Sequence, residues 1–190
     1  MRKIVVKNMT NKIDRRAVRT KQNIVNAFIQ LLEEKPFNKI TVAEIAEVAD
    51  INRRTFYLHY EDIFALLDEL ENELIDEFEE VFETKKPDNL HEFQVELLDF
   101  LTKNHQLSQA LLASNESEFL GKIMHIVIDA GIVHSEYATE VERQYCWNYI
   151  EHGMRSVLLD WITNDSLPQA QMADFTTKLV QSSLQRVKVG

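Results

Sequence analysis

Apolar residues recur every three or four positions along almost the whole chain, with only short polar stretches between the runs. That period marks amphipathic helices. From Asp14 to Lys35 the stripe is Val18, Ile24, Ala27, Phe28, Leu31 and Leu32. Lys35-Pro36 closes it, because proline pushes the residue before it out of α geometry. Residues 40–60, ITVAEIAEVADINRRTFYLHY, divide differently, into two short helices around a tight turn. Thr41 is placed to cap the first, with Glu44 three residues on to complete a capping box. Asp50 takes the turn, where the chain needs a positive φ that aspartate tolerates. Asn52 caps the second. Val42, Ile45, Ala46, Ile51 and Phe56 then face inward, and Asn52, Arg53, Arg54, Thr55, Tyr57 and His59 face out.

A longer stripe starts at Glu61 and carries Ile63, Leu66, Leu67, Leu70, Leu74, Phe78 and Val81/Phe82 as far as the loop Lys85-Lys86-Pro87-Asp88. Helical patterns resume over about 88–104, 106–113, 116–132, 136–163 and 168–187, with Asn164–Pro168 breaking the last two. The expected architecture is all-α with about nine helices, a three-helix helix-turn-helix head set on a helical body. Boundaries are expected at 14–60 for the head and 61–190 for the body. Residues 1–13, polar, basic and aperiodic, read as a flexible arm, either a groove-tracking tail or a plain terminus.

Composition narrows the class. Four glycines and three prolines in 190 residues favour long helices over a many-stranded fold. The single cysteine, Cys146, excludes an internal disulfide framework and fits a reducing cytoplasm. No apolar run approaches the length needed to cross a bilayer, and no secretory segment follows the basic start, so a cytoplasmic protein without membrane contact is expected. The net charge of −10 argues against nucleic acid until it is resolved along the chain. Residues 1–60 hold 12 Lys and Arg against 6 Asp and Glu, whereas residues 61–190 hold 9 against 25. Affinity for DNA depends on local phosphate neutralisation, so the basic head can bind while the acidic body stays clear of the duplex.

Arg53 and Arg54 lead the outward face of the second short helix. An arginine fork matches guanine O6 and N7, so either is a natural base reader. Thr41, Thr55 and Tyr57 bring hydroxyls that fix register against phosphates. Taken alone, an arginine pair is as often a solvated helix face; inside a helix-turn-helix it points to DNA. Arg16 and Arg19 belong to a basic cluster in the first turns of the helix from Asp14. Cations there oppose the helix dipole, a cost that phosphate contact would offset.

The body offers less. Phe93, Leu97, Phe100, Phe119, Met124, Tyr145 and Tyr149 are the candidates to wall a small-molecule effector pocket, although such stripes are more often ordinary core than ligand wall. The stretch 136–163 carries more apolar circumference than one core-facing stripe requires. Tyr149, Met154, Val157, Leu158 and Trp161, with Phe175, Leu179 and Leu184 of the final helix, therefore form the expected interface of a homodimer. His91, His105, His125, His134, His152 and Cys146 fit no compact ligand spacing, which leaves a zinc or other soft-metal effector as a minority reading and no metal site assigned. No nucleophile–base pairing, glycine-rich phosphate loop or Glu-x-x-His pair is present, so an enzyme is not expected.

From Thr20 to Leu67 the chain resembles the TetR family of one-component transcriptional regulators. The resemblance rests on Ile24/Ala27/Phe28, Ile40-Thr41-Val42, Ile45-Ala46, the run Thr55-Phe56-Tyr57-x-His59-Tyr60, and Leu66-Leu67. The body, with Gly153, Leu158-x-x-Trp161 and Pro168, is similar to a firmicute-type ligand domain of that family, in the group of dihydroxyacetone kinase operon regulators. The resemblance implies a homodimer that binds a palindromic double-stranded operator and is released or engaged by a small effector, most often as a repressor. It implies phosphate contacts at Thr41, Tyr57 and His59 and groove contacts at Arg53, Arg54 and Thr55. The family usually carries lysine where this chain has Ile63, and the basic cluster at residues 15–21 can substitute for that contact. The alternative function is a DNA-free adaptor or co-activator that keeps the fold and works through protein contacts.

Overall fold

The computed structural model describes residues 15–134, 136 and 139–185. Residues 1–13, read from sequence as a basic arm, lie outside that range, as do Tyr137 and Val187. The described residues form nine α-helices and no strand: α1 Arg15–Glu34, α2 Val42–Val48, α3 Arg53–Phe56, α4 Ile63–Lys85, α5 Leu90–Lys103, α6 His105–Ala113, α7 Phe119–Asp129, α8 Glu140–Asn164 and α9 Gln169–Leu184. The chain divides into two compact units between Ile63 and Phe64, at the start of α4.

In the first unit α1 packs on α2 and α2 on α3. Ile24, Phe28, Ile45 and Phe56 are wholly buried, so one small apolar centre holds all three helices. Pro36 ends α1 and is followed by a single 3-10 turn, Phe37–Lys39, whose Phe37 ring meets Phe28 edge-on at 6.2 Å. Sequence periodicity did not foresee that turn, since three residues carry no period.

In the second unit, α5 packs on α9 and α6 on α8, while α8 also touches α7 and α9. Phe78 of α4 meets Phe100 at 5.1 Å and Phe93 at 6.1 Å, both edge-on, which ties α4 to α5 through aromatic contact. Lys86, with φ of 47°, stops α4 just ahead of Pro87. A polar knot reinforces this packing. Glu71 of α4 is 3% exposed and is held at both oxygens, by the Ser117 hydroxyl (2.7 Å) and the Lys122 ammonium (2.7 Å). Nearby, Arg155 of α8 donates to the carbonyls of Ser114 (2.6 Å) and Ser117 (2.5 Å), satisfying the turn that joins α6 to α7. No helix among the described residues is long and apolar enough to cross a membrane.

Candidate nucleic-acid interface

The head is assembled by local chemistry. Thr41 Oγ1 accepts from the Glu44 amide (3.4 Å) and donates to Glu44 Oε2 (2.8 Å), while the Thr41 amide also donates to that carboxylate (3.0 Å). The full capping box starts α2 and orients it. Lys35 Nζ reaches Glu44 Oε1 at 2.6 Å and so links the end of α1 to the start of α2. The hydrogen bond from Lys35, then that from Thr41, holds the Glu44 carboxyl below its ordinary pKa. Asp50 makes the turn with φ of 53°, a left-handed conformation that a short polar side chain tolerates. Asn52 Oδ1 then accepts from the Arg54 amide (2.8 Å) and starts α3.

Regular α geometry lasts only from Arg53 to Phe56, shorter than the pattern predicts, but backbone bonds continue the turn. Leu58 donates to Thr55 O at 3.2 Å, His59 to Phe56 O at 2.9 Å and Tyr60 to Phe56 O at 3.0 Å. Phe56 and Tyr60 are buried beneath, their rings 5.7 Å apart. With the segment anchored on those two rings, Asn52, Arg53, Arg54 and Tyr57 are exposed, and Thr55 and His59 half-buried. Among the described residues neither Arg53 nor Arg54 has an ion-pair partner. Their guanidinium groups are thus available to an anionic surface without breaking anything first.

Other predicted positions are placed differently. The Thr41 hydroxyl proton is already engaged by Glu44, so a phosphate there would have to compete with the cap. Arg16 and Arg19 are exposed in the first turns of α1, one helix away from the Arg53–His59 run. Ile63 is half-buried and carries no donor. Leu58 does not stand out in the sequence, yet among the described residues it is the most exposed large apolar one, at 78%, and sits between Tyr57 and His59. Its only sequence signal was an apolar residue interrupting an outward polar run.

The body contains a cavity of about 40 Å³ that opens towards solvent. Its walls come from α5 (Leu90, Phe93, Gln94, Leu97), α7 (Leu120, Ile123, Met124, Val127), α8 (Trp147, Ile150, Met154, Leu158) and Val180 of α9. Of the seven predicted wall residues, Phe93, Leu97 and Met124 border it. Phe100 and Phe119 are buried in core elsewhere, Phe100 against Phe78. The assignment of Tyr145 and Tyr149 to the pocket is corrected: both are 71% exposed and neither borders this cavity. They lie on the outer side of α8, whose inner side is the row Cys146, Ile150, Met154, Leu158 and Trp161.

The same row corrects the predicted dimer face. Met154, Leu158 and Trp161, together with Leu184, are buried within the protomer, Leu158 completely. Trp161 Nε1 donates to Leu167 O at 2.8 Å and Cys146 Sγ to Ser183 O at 3.2 Å, so α8 and α9 run antiparallel with these residues between them or beneath. Burial also pushes the Cys146 thiol up, making it an inert one. Tyr149, Phe175 and Leu179 stay exposed, as does Val141, and Val157 is half-buried. Among the described residues no group of three His, Cys, Asp or Glu could hold a metal ion. His91 meets Asp174 at 2.9 Å, and His105 lies 2.9 Å from the Ile162 carbonyl, each already engaged.

A basic helix-turn-helix carried on a cavity-bearing helical unit defines a one-component regulator. Residues 24–70 match the family described as bacterial regulatory proteins, tetR family, and residues 88–182 match a transcriptional regulator C-terminal region of that family. The chain belongs to the TetR family of transcriptional regulators. It is similar to a TetR transcriptional regulator from Streptococcus agalactiae 2603V, 28% identical, with 88% of this chain and 96% of that one covered at a TM-score of 0.61. It is also similar in fold to the dihydroxyacetone kinase operon activator DhaS (19% identical, 88% and 97% covered, TM-score 0.53). An uncharacterized HTH-type regulator of Bacillus subtilis strain 168, YxbF, is 45% identical over 49 residues. That stretch is 25% of this chain and spans only 13% of the relative's length.

Proposed function

We propose that this regulator binds a palindromic operator as a homodimer in the cytoplasm and is switched by a small effector in the α5–α7–α8 cavity, acting as a repressor. The observation that carries the DNA contact is the exposure of Arg53, Arg54 and Tyr57 on a segment anchored by buried Phe56 and Tyr60. In this reading Arg53 and Arg54 read base edges, Thr55 supports them in the groove, and Tyr57 and His59 meet phosphates. Asn52 keeps its Nδ2 donors while its oxygen caps α3. Arg16 and Arg19 add phosphate contacts from α1, and Thr41 contributes chiefly by positioning α2.

The dimer face in this reading uses the outer side of α8 and α9, where Tyr145, Tyr149, Phe175 and Leu179 leave apolar surface in water. Gly153 supports it: a Cβ built there meets nothing within 4 Å, so the outer side of α8 has room for a partner's close approach. Two-fold pairing would set the two heads about one helical turn of DNA apart, roughly 34 Å, which requires a palindrome.

Fluorescence anisotropy on duplexes from the gene's own upstream region tests the reading. Binding is expected to be sequence-specific and to weaken about a thousandfold between roughly 50 and 200 mM salt. A salt-insensitive interaction, or none, would count against it. An adaptor would keep its regulatory effect after Arg53→Ala/Arg54→Ala, whereas a DNA-reading repressor would lose it.

A further inference from the structure

Among the described residues the cavity wall contains one amide side chain, Gln94, and one indole, that of Trp147. Gln94 sits on α5 among Leu90, Phe93 and Leu97, is 3% exposed, and borders the empty space. Its Oε1 lies 3.2 Å from the fully buried Thr176 hydroxyl of α9, whose single proton is shared with the Met172 (2.9 Å) and Ala173 (3.2 Å) carbonyls. Among the described residues Gln94 Nε2 has no hydrogen-bond partner and keeps a little accessible surface. An amide donor beside open space is available to whatever enters.

Charge is missing from this wall. Among the described residues no Lys, Arg, His, Asp or Glu borders the cavity. A carboxylate or ammonium brought inside would lose its hydration with no counter-charge from these residues to replace it. The room available is also small, since a single water needs about 10–15 Å³ and the cavity offers about 40 Å³. Met124 of α7 and Met154 of α8 can adjust their rotamers around a slim guest.

We infer that the cavity takes a short, uncharged, mostly aliphatic molecule with a single oxygen acceptor, such as a small ketone, whose oxygen receives a hydrogen bond from Gln94 Nε2. This rests on the reading of the cavity as the effector site and names the effector's chemical class. Gln94 is its specificity-determining contact, and Thr176 is the positioning residue that orients the amide. The sequence carried a faint sign of this, a glutamine at i+4 from Leu90 and three residues before Leu97, in the middle of an apolar stripe.

The test is a series of equal-length probes, 2-hexanone, n-hexane, hexanoate and hexylamine, titrated at neutral pH into the full chain. Ligand-induced shift in melting temperature and retention on promoter DNA are both read. The ketone is expected to raise the melting temperature and to bind ~5- to 10-fold more tightly than hexane, the worth of one hydrogen bond, while the two charged probes give no shift. Gln94→Leu should abolish the preference for ketone over alkane and leave hexane binding in place. Gln94→Glu, a second route should the leucine variant not fold, should lose the ketone and gain hexylamine. Equal shifts with hexane and ketone in the native chain overturn the inference, as do tighter binding of a charged probe or no binding by any of the four. If the ketone binds with the expected preference but DNA retention does not change, the effector reading fails and the ligand class stands. If DNA is bound normally while no probe is discriminated, the reverse holds.

Discussion

Head and body are built from the same material, amphipathic helices, and each opens one helix with a threonine–glutamate capping box, Thr41–Glu44 and Thr139–Glu142. They differ in where their working groups lie. In the head the proposed DNA contacts lie at the surface or half-buried, most of them in one run, Asn52–His59, positioned by bonds no more than four residues apart. In the body the working groups face inward and come from four helices that meet only through tertiary packing. A surface reader can therefore be understood from local sequence, whereas an internal site depends on which sides of distant helices come together.

Breaking the head alone should give the largest effect. Arg53→Ala/Arg54→Ala is expected to weaken operator binding by about two to three orders of magnitude, since each well-made guanine contact is worth about 1–3 kcal/mol. Thermal melting of the body should not move, and a matching loss of body stability would show that the two regions are not separable in this way. Breaking the body alone comes next. Glu71→Ala frees Ser117 and leaves Lys122 with Asn72 Oδ1 at 2.8 Å and partial access to water, at a cost of about 3 kcal/mol at most. Denaturant unfolding reads this change, and binding of 2-hexanone should weaken along with it.

The two capping boxes sharpen the contrast at a smaller scale. Thr41→Ala and Thr139→Ala each remove one cap and should each cost about 1 kcal/mol of stability. Only Thr41→Ala should also reduce DNA affinity, because α2 sets the angle of the segment after it. Equal effects on DNA from both would erase the distinction. The smallest expected effect is acid-dependent and confined to the head. The Glu44 carboxyl is held below its ordinary pKa by Lys35 and Thr41, so its contribution is fully present above that ordinary value. It disappears as pH falls through the depressed one. Glu44→Gln should flatten the acid limb of the head's unfolding profile across that window and leave neutral-pH behaviour of the body alone.

What could be read from the sequence follows the same division. Pro36 after α1, the Thr41 box, the left-handed Asp50 and the Asn52 cap are all short-range consequences of residue type, and each is found as expected. Helix count and class followed from period alone. Residues 141–161 defeated the same reasoning, because Val141, Tyr145, Cys146, Trp147, Tyr149, Ile150, Met154, Leu158 and Trp161 put apolar groups on nearly every side of α8. With no polar side to orient the helix, sequence could not tell which tyrosines meet solvent and which residues meet α9. The pattern therefore turns Tyr145 inward, leaves Tyr149 to both the pocket and the dimer face, and turns Met154, Leu158 and Trp161 outward. Gln94 only interrupts the α5 stripe, and period alone does not say what it faces.

Mooring one carboxylate at both oxygens has a mechanical result for α4, the helix that leaves the head. Turning α4 by a single residue, about 100°, would swing Glu71 away from Ser117 and Lys122 together. Sliding it by one residue, about 1.5 Å, would stretch both bonds past their useful range. Phe78, about two turns further on and edge-on to Phe93 and Phe100, pins the same helix a second time, so α4 is held to the body at two points and resists rocking as well.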